Sequence, residues 1–116
     1  MTTLFILNDP PYGTERAYNA LRLAGTLARS DETEVRVFLL ADAASCARSG
    51  QAVPNGYYNL ERMLKGILAR GGEVGVCGTC MDARGIGDDE MVEGARRSSM
   101  QELAEWTTRA DRLLVF

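Results

Sequence analysis

The stretch Glu73-Val74-Gly75-Val76-Cys77-Gly78-Thr79-Cys80-Met81-Asp82-Ala83-Arg84-Gly85 decides the fold. Its first four residues read as a short strand, and residues 79–85 have the make-up of a short helix. Two cysteines therefore stand where a strand ends and a helix begins. In α/β proteins that junction exposes a side chain at the carboxyl edge of the sheet and aims a helix amino terminus at it. A thiol there is expected to be more acidic than a free cysteine, because the helix dipole favours the thiolate.

Working outward, strand and helix signals alternate. Before the motif, Asn59 caps a helix to about residue 70, with Leu60, Met63, Leu64, Ile67 and Leu68 on one face and Gly71-Gly72 ending it. Upstream, Leu4-Phe5-Ile6-Leu7 and Glu34-Val35-Arg36-Val37-Phe38-Leu39-Leu40 read as strands. Between them Thr14 caps a helix over residues 15–29 that turns Ala17, Leu21, Ala24 and Ala28 to one side. A short helix or turn is expected over residues 42–48 and a loop over residues 50–56. Downstream, residues 91–95 read either as a short strand or as a loop. Ser98 or Ser99 then caps a helix to about residue 109 with Met100, Leu103, Ala104 and Thr107 inward, and Arg112-Leu113-Leu114-Val115-Phe116 is a last strand. Such alternation implies a parallel sheet with helices on both faces, in one domain over residues 1–116. Apolar strands with few covering residues suggest burial completed by oligomerising.

Composition narrows the function. A net charge of −3 and the lack of a basic block give no reason to expect nucleic-acid binding. No apolar run approaches the ~20 residues that span a bilayer. The first residues lack the basic and long apolar regions of a secretory signal, so a cytoplasmic, reducing location is expected. The chain has three cysteines and no histidine. That removes histidine acid–base catalysis, Cys–His dyads within the chain and histidine metal ligands. A lone Cys-x-x-Cys does not supply the four ligands of a structural metal site within one chain, so no metal and no cofactor are expected.

Cys77 and Cys80 are thus the candidate catalytic residues, and their spacing alone fits a dithiol redox pair. Thioredoxin-like proteins, however, carry that motif near the first βαβ unit with an aromatic residue before it, whereas here Val76 precedes it. Cys46, in an alanine-rich segment, reads as a core residue. The loop over residues 8–13 falls on the same sheet edge as Cys77. Tyr12 either presents a hydroxyl there or packs in a rigid turn. Asp42, after the second strand, reads most simply as a helix N-cap on that edge. Arg84 either holds an anionic sulfur by charge or is a surface residue. Gly78 and Thr79 complete the candidate binding set. Asp88-Asp89-Glu90 reads as a solvated turn, and Trp106 as a packing residue.

The Cys77–Ile86 stretch follows a short strand and a leucine-rich helix. Together with the early Pro11-Tyr12-Gly13 and the closing Ala110-Asp111-Arg112-Leu113-Leu114-Val115-Phe116, it resembles the DsrE/DsrF-like family, which includes TusD-type sulfur-relay and YchN-like proteins. The resemblance spans essentially the whole chain and is most specific from Cys77 to Arg84-Gly85. It implies a three-layer α/β/α sandwich on a five-stranded parallel sheet of order 4-3-2-1-5, and a homotrimer, hexamer or hetero-oligomer. It implies that Cys77 matches the strand-end cysteine that carries sulfur as a persulfide. Cys80 stands where the best-known relay proteins have another residue. The expected function is a sulfurtransferase-like persulfide carrier with Cys80 as resolving thiol, exchanging sulfur with donor and acceptor proteins or small thiols. A dithiol/disulfide redox protein and a non-catalytic oligomeric binding subunit are the other readings.

Overall fold

The computed structural model describes residues 1–116. β1 (Thr2–Leu7), α1 (Arg16–Ala28), β2 (Glu34–Leu39) and a 3-10 helix (Ala41–Ala47) are followed by α2 (Leu60–Ala69), β3 (Glu73–Cys77) and α3 (Gly78–Ala83). A short 3-10 turn (Asp88–Glu90), β4 (Ala95–Ser98), α4 (Met100–Arg109) and β5 (Arg112–Val115) complete the chain. The five strands form one sheet of order β4-β3-β2-β1-β5, and every pairing is parallel. The expected three-layer architecture and strand order therefore hold.

The central strands are continuous apolar runs because both sheet faces are covered. Phe5, Leu7, Val37, Leu39, Val74 and Val76 join the inner faces of α1 and α2 in the larger core. On the other face, Leu4 and Phe38 meet Leu103 and Trp106 of α4 in a smaller core that also reaches Cys77. Gly75 makes room for that helix, since a Cβ there would stand 3.3 Å from the Trp106 ring and 3.2 Å from that of Phe38. Two guanidiniums, Arg36 and Arg96, lie over Trp106 at 5.3 and 5.4 Å, and Glu73 and Glu102 pair with them.

Local sequence signals set the element ends. The Asn59 side chain accepts the Arg62 amide at the start of α2. At its far end Gly71 turns left-handed, with φ +87°, so that the Gly71 and Gly72 amides reach back to the Leu68 and Ile67 carbonyls.

Three expectations need correcting, and one reading left open is resolved. The residue preceding α1 is Glu15, in a left-handed conformation, and Thr14 Oγ1 only receives the Arg16 amide at 3.4 Å. Of the open readings, residues 91–94 are not a strand, β4 starts at Ala95 and runs through Ser98, and Ser99 is the cap of α4. Met100, Ala104 and Thr107 are exposed, and the inward face of α4 consists of Leu103 and Trp106. The cause is that α4 touches the sheet along one narrow stripe at i, i+3 spacing, which a large indole fills. Asp42 caps nothing: Leu40 precedes the 3-10 helix, and the Asp42 carboxylate pairs with Arg84 instead.

Candidate functional site

β3 delivers Cys77 to the carboxyl edge of the sheet. Its neighbours in register are Leu39 on β2, opposite Val76, and Ser98 on β4, opposite Cys77 itself. The chain turns at once into α3, which brings Cys80 back beside Cys77. Both thiols are free. Cys77 is 6% exposed, whereas Cys80 is half-buried. The more deeply placed sulfur is thus the first of the pair. Cys77 borders a cleft of about 350 Å³ whose other walls include Thr79, Asp82, Arg97, Ser98 and Ser99.

Donors around Cys77 decide its acidity. Burial alone would raise its pKa. The Thr79 hydroxyl, 3.2 Å from Cys77 Sγ, the neighbouring Cys80 thiol and the amides that open α3 favour its anion and together hold it below the ordinary thiol value. Cys80 behaves in the opposite way. Burial and the neighbouring Cys77 sulfur raise it, against a lowering by the Ala41 amide and by Arg84. The pair is therefore split into a thiolate-forming Cys77 and a proton-holding Cys80, which is how environment assigns separate roles to two similar groups.

Two groups that the sequence did not single out build this arrangement. Ala41, directly after β2, adopts φ +50°, a left-handed conformation uncommon for a residue with a Cβ. In that conformation its N–H donates to Cys80 Sγ at 3.1 Å. Arg97 of β4 lies across Gly78. Its Nη1 donates to the Gly78 carbonyl at 3.1 Å and to Asp82 at 3.0 Å, and its Nε donates to Asp88 at 2.7 Å. A Cβ on residue 78 would stand 3.0 Å from that Nη1 and 3.2 Å from the Ser98 carbonyl, so glycine is what lets β4 close against the thiol turn. Local spacing carries no signal for either contact, since Arg97 is 19 residues from Gly78 and Ala41 is 39 from Cys80.

The remaining sequence candidates separate. Arg84 holds the Asp42 carboxylate with Nε and Nη2, at 3.1 and 2.9 Å, and gives Nη1 to the Cys80 carbonyl. It thus acts on Cys80 by charge and is not bonded to Cys77. Tyr12 is not brought to the thiols: its hydroxyl donates to Gln51, accepts the Leu60 amide, and its ring stacks on Tyr58. Cys46 is fully buried and its thiol is pushed up to about 12 by burial. No group of three or more Cys, Asp or Glu residues stands close enough together to hold a metal ion, and no helix is long and apolar enough to cross a membrane.

An all-parallel β4-β3-β2-β1-β5 sheet with a polarised thiol pair at the end of β3 defines a small α/β protein with a strand-end dithiol. The chain belongs to the DsrE/DsrF-like family, which it matches over residues 1–116 and which is generally linked to sulfur relay. It is 37% identical over 114 residues to protein YchN of Escherichia coli (strain K12), covering 97% of each chain. It is also 37% identical over 111 residues to the uncharacterized protein MJ0989 of Methanocaldococcus jannaschii, covering 96% of each chain. The crystal structure of the YchN protein from E. coli superposes with a TM-score of 0.93 at 36% identity, covering 99% of this chain and 98% of that one. A protein of unknown function from Methanobacterium thermoautotrophicum shares the fold, with a TM-score of 0.75 at 13% identity.

Proposed function

We propose that this protein carries sulfane sulfur as a persulfide on Cys77, with Cys80 as the resolving thiol. The observation that carries the reading is a pair of free thiols at the end of β3, Cys77 nearly buried with the Thr79 hydroxyl 3.2 Å from its sulfur and Cys80 held by the Ala41 amide at 3.1 Å; their surroundings drive the two in opposite directions. In loading, the Cys77 thiolate attacks the terminal sulfur of a donor persulfide. A Cys77–sulfur bond forms, the donor's S–S bond breaks, and the donor leaves as a thiolate that takes up a proton. The hydroxyl of Thr79 and the amides of Thr79 and Cys80 then face the anionic sulfur. In unloading, an acceptor thiolate takes the terminal sulfur and returns Cys77 as thiolate. Alternatively, Cys80 loses its proton to solvent and attacks Cys77 Sγ, which releases hydrosulfide and leaves a Cys77–Cys80 disulfide. A small or protein-borne dithiol then reduces that disulfide, becoming oxidised itself. No histidine is required at any step.

The proposal extends to a cytoplasmic, single-domain protein over residues 1–116 that works as a homo-oligomer and exchanges sulfur with donor and acceptor proteins or small thiols. The exposed apolar side chains of Leu113 and Val115 on the edge strand β5 support the oligomer. Incubation with a small-molecule persulfide, followed by intact-mass measurement, tests the carrier. A gain of one sulfur atom is expected in the wild type and in Cys80→Ser, and none in Cys77→Ser; absence of the gain in the wild type rejects it. The two free thiols at either end of one short turn also favour a second reading, a dithiol/disulfide redox protein, in which disulfide cycling occurs without sulfur loading and vanishes in Cys80→Ser.

A further inference from the structure

Far from the thiols, α1 and α2 flank a groove of about 460 Å³, within the range of small-molecule sites. Three arginines line it: Arg22 and Arg29 on the α1 side, and Arg70 on the α2 side. Of the thirteen Lys and Arg residues, only Arg22, Arg29, Arg62, Arg70, Arg109 and Arg112 meet no carboxylate within 4.0 Å. Half of these unpaired cations share this one groove, and no acidic residue lines it. That is unexpected in a chain of net charge −3.

Two of the three guanidiniums are held in place by neutral groups. Arg22 donates to Asn19 Oδ1 at 3.1 Å and lies 5.4 Å over the Tyr18 ring, which itself stacks on Tyr58. Arg29 donates to Thr26 Oγ1 at 3.3 Å. The groove also contains Gly25 and Gly66, each inside a helix, where glycine is less favourable than alanine. Neither glycine is required by packing, since a Cβ at either would meet nothing within 4 Å. Leu21, Met63 and Ile67 add an apolar floor.

We infer that this groove binds an organic phosphate carrying at least two negative charges. Planar guanidinium forks match phosphate oxygens two at a time, the glycines leave open space between the helices, and the apolar floor suits the organic part. Arg29 and Arg70 also sit at the carboxyl ends of their helices, where a purely structural role would consist of offsetting the helix dipoles. The two roles predict different outcomes.

The test is thermal unfolding and titration calorimetry of the full chain in about 0.15 M salt, with ADP, pyrophosphate, adenosine and an oligoglutamate peptide as probes. ADP is expected to raise Tm by a few degrees at about 1 mM, pyrophosphate by less, and adenosine not at all. Arg22→Gln/Arg70→Gln is expected to lose at least tenfold in ADP affinity. Gly66→Leu, which places a helix-favouring side chain in open space, should keep or raise the Tm of the free protein while abolishing the ADP effect. Cys77→Ser should bind ADP like the wild type. No response to either phosphate, or a response that survives in the arginine double variant, overturns the inference. So does stabilisation by oligoglutamate without stabilisation by phosphate, which would make the groove a protein-docking surface.

Discussion

Cys46 and Cys77 are both nearly inaccessible, at 0% and 6% exposure, yet their surroundings drive them in opposite directions. Cys46 sits among the alanines of the 3-10 helix, where its thiol points at the Asp9 carbonyl 3.9 Å away, an acceptor that cannot hold an anion. Burial then pushes it up to about 12. Cys77 is nearly as well covered, but the Thr79 hydroxyl at 3.2 Å, the neighbouring Cys80 thiol and the amides of the α3 turn favour its anion. Exposure therefore does not distinguish a reactive thiol from an inert one in this fold; the donors supplied by the turn into α3 do.

The contrast is largest in reactivity. At neutral pH the thiolate fraction of Cys77 should far exceed that of Cys46, since their surroundings shift them in opposite directions. Limited alkylation with iodoacetamide, followed by peptide mass spectrometry, should label Cys77 and leave Cys46 unmodified. Equal labelling in the native protein would break the comparison.

Next in size is Gly78→Ala. Its Cβ would press on Arg97 and the Ser98 carbonyl, so we expect a cost of about 1–3 kcal/mol in denaturant unfolding, together with slower alkylation of Cys77. A neutral effect on both would mean that β4 does not fix the thiol turn.

That strand was the least legible part of the sequence. Ala95-Arg96-Arg97-Ser98 is an edge strand without a large apolar residue, so neither alternation nor an apolar run marks it. Its identity comes from the parallel pairing of Ala95 with Val74 and Ser98 with Cys77, which no local pattern encodes. β3, α2 with its Asn59 and Gly71 signals, and the inert character of Cys46 were legible because each rests on local rules of periodicity, capping or composition. The Tyr12 loop and Asp42 follow β1 and β2 at the carboxyl edge of the sheet, as strand alternation implies. The partners of Tyr12, Asp42 and Arg84, namely Gln51, Arg84 and the Cys80 carbonyl, cannot be read from the sequence, because side-chain pairing is decided by tertiary geometry.

The β4–α4 wall beside the thiol site gives a smaller effect. Ser98 donates to Glu102, which also pairs with Arg96, and these bonds hold the Glu102 carboxyl below its ordinary range despite its partial burial. A lowered folded-state pKa means that the contribution is full above the ordinary carboxyl range and is lost as pH falls through the folded value. Glu102→Gln should therefore cost about 1–2 kcal/mol at pH 7. The gap to the wild type should close in acid, below the ordinary carboxyl range, as measured by urea unfolding across pH.

Thr79→Val removes one donor from Cys77 at an exposed position. It should slow alkylation below pH 8 several-fold while leaving stability nearly unchanged. Arg84→Gln is expected to do least to the fold, below about 0.5 kcal/mol, because its pair with Asp42 is largely exposed. Its signature is a further rise in the pKa of Cys80, visible as slower Cys77–Cys80 disulfide formation.

The pH profile of Cys77 alkylation in the intact protein, with free cysteine measured alongside, tests the central claim most directly. The account predicts a midpoint below that of free cysteine, moving upward when Cys80→Ala removes the neighbouring thiol. A Cys77 midpoint at or above that of free cysteine would contradict it.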